Sequence, residues 1–143
     1  MRDAFHEELD AIQATLVTMG EMVAVAMERS STALLNADVK LAEQVISEDE
    51  KLDTIQHDLE ARAINLMARQ QPVAQDLRIL VTSLRMSADL ERMGDLCHHI
   101  AKLARMRYPA VAVPPELVPT IENMGKTAKK LSLIHISEPT RPY

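Results

Sequence analysis

A break at Gln71-Pro72 does more than any other feature to limit how this chain can fold. Pro suits the first turn of a helix, where its missing N–H has no partner to lose. The sequence on both sides is patterned for helix, so the two arms are expected to form a hairpin. Asp49-Glu50-Lys51-Leu52-Asp53 lies on the first arm and Glu91-Arg92-Met93-Gly94-Asp95 on the second. Residues i and i+4 share a helix face, so each arm offers two carboxylates to one side. Positions facing each other across a turn at Pro72 have numbers that sum to about 144. Asp49 then pairs with Asp95 and Asp53 with Glu91, at one level ~30 Å from the turn at ~1.5 Å rise per residue. Four acids at one level repel unless a cation lies among them.

The apolar pattern fixes the helices. Phe5, Leu9, Ile12, Leu16, Met19, Val23, Ala26, Ser30 and Ala33 recur at steps of four and three, a bundle seam on one helix over 3–36. Asn36-Ala37-Asp38 ends it, and Asp38 caps the next. Over 39–70 the stripe is Leu41, Val45, Leu52, Ile55, Leu59, Ala63, Leu66 and Met67. Lys40, Lys51, Asp58 and Arg69 point away from it, whereas Asp49 lies on the inner side and Asp53 on the flank. A third helix is expected over 73–107, with Val73, Leu77, Leu80, Leu84 and Ala88 facing inward. That line continues to Glu91 and Asp95, so the seam turns acidic in mid-helix. Ile79, Met86, Leu90, Met93, Cys97 and Ile100 form a second apolar side for a second partner. Gly94 costs up to ~1 kcal/mol of helix propensity, so its place beside the acids points to close packing.

Pro109, Pro114 and Pro115 make 108–115 a linker. A new helix starts near Glu116. Its Leu117, Ile121, Met124, Gly125 and Ala128 match Ile12, Leu16, Met19, Gly20 and Val23 at a constant offset of 105, the start of a second copy of the bundle over 116–130. Residues 131–143 are rich in β-branched residues and Pro and abandon the seam. They resemble translated adaptor read-through and read as a non-native tail, the alternative being a disordered native one.

Composition agrees with an all-α fold. Aromatic residues are 2% and Gly numbers 3, while helix formers dominate. The 143 residues suffice for one domain with a core. A net charge of -5 argues against nucleic acid, which needs a basic face. Cys97 alone cannot form an internal disulfide and fits a reducing compartment. No apolar run reaches the ~18 residues that would suggest a membrane span, and the N-terminus lacks a signal peptide's apolar stretch, so the expected location is cytoplasmic.

The acidic hairpin is the candidate site. A solvated helix face is the ordinary reading of such acids. Mirror spacing about Pro72, closeness to the seam and Gly94 favour metal binding by Asp49, Asp53, Glu91 and Asp95. Buried unpaired carboxylates cost several kcal/mol each, so such a site is wet, protonated or bridged by cations. Carboxylates are hard ligands suited to Mg²⁺, Mn²⁺, Fe or Zn²⁺, and four of them can support a multinuclear cluster. His98 and His99, on the next turn, fit surface or packing roles better than nitrogen ligation. His57 reads as structural or exposed, Cys97 as a small core residue, and Arg78 as solvated or facing a partner. No Gly-rich phosphate loop, nucleophile elbow or H-E-x-x-H motif is present, so no enzyme is expected. A ferritin-like di-iron oxidase needs two Glu-x-x-His motifs, and only Asp95-Leu96-Cys97-His98 approaches one.

Gln70-Gln71-Pro72-Val73-Ala74-Gln75-Asp76-Leu77-Arg78, followed by Asp89-Leu90-Glu91-Arg92-Met93-Gly94-Asp95, resembles the PhoU family of phosphate-transport system regulators over about residues 1–130. The resemblance implies two three-helix bundles in tandem, the first complete over 1–107 and the second truncated. It implies a non-enzymatic, cytoplasmic negative regulator of phosphate uptake and starvation signalling. Such a regulator links a phosphate ABC transporter to a sensor histidine kinase and meets the membrane only through those partners. It also implies multinuclear metal clusters on paired Glu/Asp-x-x-x-Asp motifs, which fall on Asp49, Asp53, Glu91 and Asp95. The alternative is a metal-free helical scaffold that binds partners through the outer face of the third helix. Without a second bundle, Ile79, Met86, Leu90 and Met93 are expected to be exposed and to make the chain a homo-oligomer.

Overall fold

The computed structural model describes residues 2–137, and the side chains of residues 4–130. It is an all-α bundle: α1 (Arg2–Asn36), α2 (Val39–Gln70), α3 (Ala74–Arg107), a 3₁₀ turn (Pro115–Leu117) and α4 (Val118–Ser137). Its ends follow local chemistry. Asp38 Oδ1 accepts a hydrogen bond from the Leu41 backbone N–H at 3.1 Å, which satisfies an orphan donor at the start of α2. Gln71 closes α2 in the left-handed region (φ 41°), and Pro72 ends the path. Val73 caps α3 without a side-chain bond, so α3 begins one residue later than the apolar pattern suggests.

The α1 seam is buried as its period requires: Phe5, Leu9, Ile12, Leu16, Met19, Val23, Ser30 and Ala33 are all in the core. Along α2, Val45, Leu52, Leu59, Ala63 and Leu66 are buried, with Ala42 added. Each large side chain removed from water contributes roughly 1.5–3 kcal/mol of transfer free energy. Ala4–Asn36 is long and apolar enough to cross a membrane by length and composition alone. This differs from the expectation that no apolar run is long enough, because polar residues scattered along α1 leave its mean hydropathy high. Here its strongest apolar line is covered by the bundle.

The buried line of α3 differs from the one expected. It runs Leu80, Ser83, Ser87, Gly94, Cys97, Ala101 and Ala104, between the two apolar stripes. Val73 and Leu77, at the open end of the bundle, are 66% and 40% exposed. Small residues let α3 approach its neighbours closely, and the buried hydroxyls cost little because their own helix satisfies them. Ser83 Oγ donates to the Ile79 carbonyl and Ser87 Oγ to the Leu84 carbonyl, both at 2.8 Å.

Two core regions result. Near the hairpin, large residues from Phe5 to Leu80 pack together. At the far end Ala33, Leu34, Ala42, Val45, Cys97, Ala101 and Ala104 form a core of mainly small side chains, against which linker residues Ala112 and Val113 also pack. Arg69–Glu8 (3.1 Å) and His6–Asp76 (3.9 Å) tie the hairpin end, both at exposed or half-exposed sites where such pairs are worth little.

The break after α3 falls where the prolines place it, and helix resumes at Pro115. Among the described residues, α4 packs on α1 and on no other long helix. Gly125 lies against Ser31, and Ala128 is buried. Leu117, on the 3₁₀ turn, and Met124 are exposed, unlike their counterparts Ile12 and Met19; Met124 is open because α4 has one long-helix neighbour where α1 has three. Helix continues to Ser137, seven residues into the stretch read as a non-native tail. Residues 131–137 contain neither Pro nor Gly, and extending a helix is far easier than starting one. Residues 138–143, the rest of that stretch, lie outside the described residues.

Candidate metal centre

The site forms where the large-residue core gives way to the small-residue core, on the facing surfaces of α2 and α3. Asp49 and Asp53 project from successive turns of α2, and Glu91 and Asp95 from successive turns of α3. All four are half-buried. Asp49, Asp53 and Asp95 each offer a carboxylate oxygen, and these oxygens lie within 4.8 Å of one another. Glu91 stands outside that set but close enough to Asp53 to feel its charge. Three of the four expected acids, Asp49, Asp53 and Asp95, thus converge across the hairpin.

Gly94 makes the approach possible. A Cβ there would collide with Leu52 Cδ2 and stand 3.7 Å from Asp49 Oδ1. Leu52 sits on α2 between the two aspartates, so helix spacing and carboxylate positions are set by the same contact. A cleft beside it is lined by Met22, Ala26, Arg29, Val45, Glu48, Asp49, Leu52 and Gly94.

The electrostatics are repulsive without a cation. Desolvation raises the Asp53 pKa first, then the charges of Asp49 and Asp95. A hydrogen bond from Glu91 and the nearby His57 oppose them. Glu91 is raised by desolvation, then by the charges of Asp95 and Asp53. Asp53 Oδ1 is buried with no hydrogen-bond partner. A buried carboxylate oxygen left bare amid like charges is the donor atom that a hard cation would satisfy, so these residues fit such an ion. Bound there, an ion would be held by Asp49, Asp53 and Asp95, with Glu91 adjacent.

The histidines divide. His98 Nδ1–H donates to Asp49 Oδ2 at 2.8 Å, and the two side chains are 20% and 12% exposed. His98 Nε2 is buried without a partner. His99 is exposed. His57 is exposed, its Nδ1 2.8 Å from the Asp53 carbonyl oxygen. Cys97 is fully buried, its thiol pushed up mainly by desolvation. Arg78 is exposed. The His98–Asp49 pair escaped sequence reading. Its one signal is that 49 and 98 sum to 147, one helical turn displaced along the same hairpin register.

Comparison with known proteins gives this hairpin a context. The chain is 46% identical over 131 residues to phosphate-specific transport system accessory protein PhoU homolog 2 of Mycobacterium tuberculosis, covering 92% of this chain and 62% of that protein. It is 43% identical over 131 residues to PhoU homolog 1 of Mycobacterium leprae, covering 92% and 59%. For the PhoU homolog of Rhizobium meliloti the figures are 37% over 138 residues, 94% and 55%. The chain thus spans roughly three-fifths of the length of the curated relatives it matches. No solved structure matches it. Residues 16–104, which run from the α1 seam through both acidic steps to the last buried alanine of α3, match the PhoU domain, and the chain belongs to the PhoU family.

Proposed function

We propose that this chain acts as a negative regulator of phosphate uptake and phosphate-starvation signalling. It would serve as a cytoplasmic, non-enzymatic link between a phosphate ABC transporter and a sensor histidine kinase. The observation that carries this reading is its 46% identity to a relative named a phosphate-specific transport system accessory protein. In this reading Asp49, Asp53, Glu91 and Asp95 hold Mg²⁺, Mn²⁺, Fe or Zn²⁺, singly or as a cluster. Support comes from the three converging oxygens and the bare Asp53 Oδ1. A bound cation would replace the repulsion between α2 and α3 with attraction and present a charged face to partners. Residues 1–107 form the first bundle of a tandem pair and 116–130 the start of the second, for which the relatives' greater length leaves room.

Elemental analysis of the purified chain, offered Mg, Mn, Fe and Zn, tests the site beside a variant with Asp49→Asn, Asp53→Asn, Glu91→Gln and Asp95→Asn. Metal in the parent and none in the variant is expected. Equal, negligible metal in both would reduce the acids to a solvated face. A phosphate-starvation reporter in a host lacking its own homologue tests the regulation, with repression expected only from the parent.

A second reading rests on the outer side of α3, where Met86 and Met93 are 48% and 42% exposed and Leu96 and Leu103 are also exposed. There the chain is a metal-free scaffold that binds partners through this face. The four-residue variant would then repress as well as the parent.

A further inference from the structure

We infer that His98 is a positioning residue for the cation site: by donating to Asp49 it fixes the direction in which that carboxylate faces Asp53 and Asp95. This rests on the cation reading of the hairpin. The imidazole contacts Asp49 but is not one of the converging ligand groups, which are Asp49, Asp53 and Asp95. Its Nδ1–H meets Asp49 Oδ2 at 2.8 Å across the α2–α3 interface. The other ring nitrogen, Nε2, is buried and bonds to nothing. The ring thus commits its polar contact to Asp49 while leaving Nε2 dry. A ring placed only for packing would gain by turning one nitrogen to water, as its exposed neighbour His99 can.

The chemistry explains the need. A carboxylate on a helix rotates freely about its terminal bond, and three of them repel one another here. Left alone, Asp49 would turn away from Asp53 and Asp95. A donor at Oδ2 holds the group in plane and leaves its remaining lone pairs for an ion. Such supporting contacts commonly change metal affinity by about 10–100-fold when removed.

The test is Mn²⁺ binding to the whole chain, read from the paramagnetic resonance signal of free aqueous Mn²⁺. Three replacements are compared. His98→Leu removes the donor, His98→Asn puts an amide N–H near the Nδ1 position, and His98→Gln puts one near Nε2. The expected result is about tenfold weaker binding for His98→Leu, recovery to within about threefold for His98→Asn, and no recovery for His98→Gln. Circular dichroism identifies any variant that fails to fold. In an Asp49→Asn background, His98→Leu should weaken binding no further, because its action passes through Asp49. Undiminished binding by folded His98→Leu, or an Asn variant no better than the Leu variant, overturns the assignment. A parent that binds no Mn²⁺ overturns the Mn²⁺ reading and this role together.

Discussion

Replacing Asp53 with Asn should make the protein more stable without metal and less stable than the parent with it. Asp53 has like charges on both sides, with oxygens of Asp49 and Asp95 within 4.8 Å. One such pair repels by about 3.5 kcal/mol at an effective dielectric near 20, and by about 0.9 kcal/mol in bulk water. Asp53 is half-buried, so solvent screens part of this. A net gain of about 1–2 kcal/mol for Asp53→Asn is reasonable after that discount. With a urea slope of about 2 kcal/mol per M, the unfolding midpoint in chelator rises by about 0.5–1 M. The pH dependence supplies a check on cause. Asp53 and Glu91 both have raised folded-state pKa values. Their contribution to stability is therefore complete below the ordinary values of 3.8 and 4.5 and is lost as pH rises through the raised ones. The gain from Asp53→Asn should be largest near neutral pH and fade in acid. In Mn²⁺ at about 100 times its dissociation constant the parent gains about 2.7 kcal/mol, and the variant, short of a ligand, gains less. Urea unfolding with chelator, in acid and with Mn²⁺ covers all three conditions. A loss of stability in chelator at neutral pH would refute the reasoning, as would a gain that persists unchanged in acid.

Gly94→Ala should destabilise by about 1 kcal/mol, because pushing Leu52 aside outweighs the gain in helix propensity, and should weaken Mn²⁺ binding by moving α2 from α3; urea unfolding and Mn²⁺ titration check both. Asp38→Ala removes the cap of α2 and should cost about 0.5–2 kcal/mol in the same unfolding assay. Sedimentation should show concentration-dependent self-association, which Met86→Glu with Met93→Glu should suppress; a strictly monomeric parent would count against the exposed α3 face as a sticky surface.

Much of this bundle was legible in the residues. Spacings of three and four place Leu9, Ile12, Leu16 and Met19 in the core, and the arithmetic about Pro72 brings Asp49, Asp53 and Asp95 together. On α3 the expected inward line holds at Leu80 and, in part, at Leu84, but not at Val73 and Leu77. Searching for large apolar residues selects Val73 and Leu77, yet the helix packs through Ser83, Ser87, Gly94, Ala101 and Ala104. Small residues bury little area, and their value lies in how closely the backbones come. That depends on the partner helix, which a one-dimensional pattern does not contain. For the same reason His98 was not placed on Asp49: the contact crosses two helices one turn out of register. Of the exposed stripe expected on α3, Met86 and Met93 are open, while Ile79 and Leu90 pack partly against the core.

Because α4, among the described residues, packs on α1 and on no other long helix, the first three helices keep their mutual contacts if it lifts away. Its seat holds Gly125 against Ser31, buried Ala128, Ile121 against the small-residue core, and an exposed Lys129–Glu28 pair at 4.0 Å. Amide protons along α4 should therefore exchange with solvent through local detachment, well before those of α1 to α3, whose release requires global unfolding. The hinge of that excursion falls in the Pro-rich segment from Tyr108 to Pro114, whose Ala112 and Val113 pack against the small-residue core and would have to come away with it.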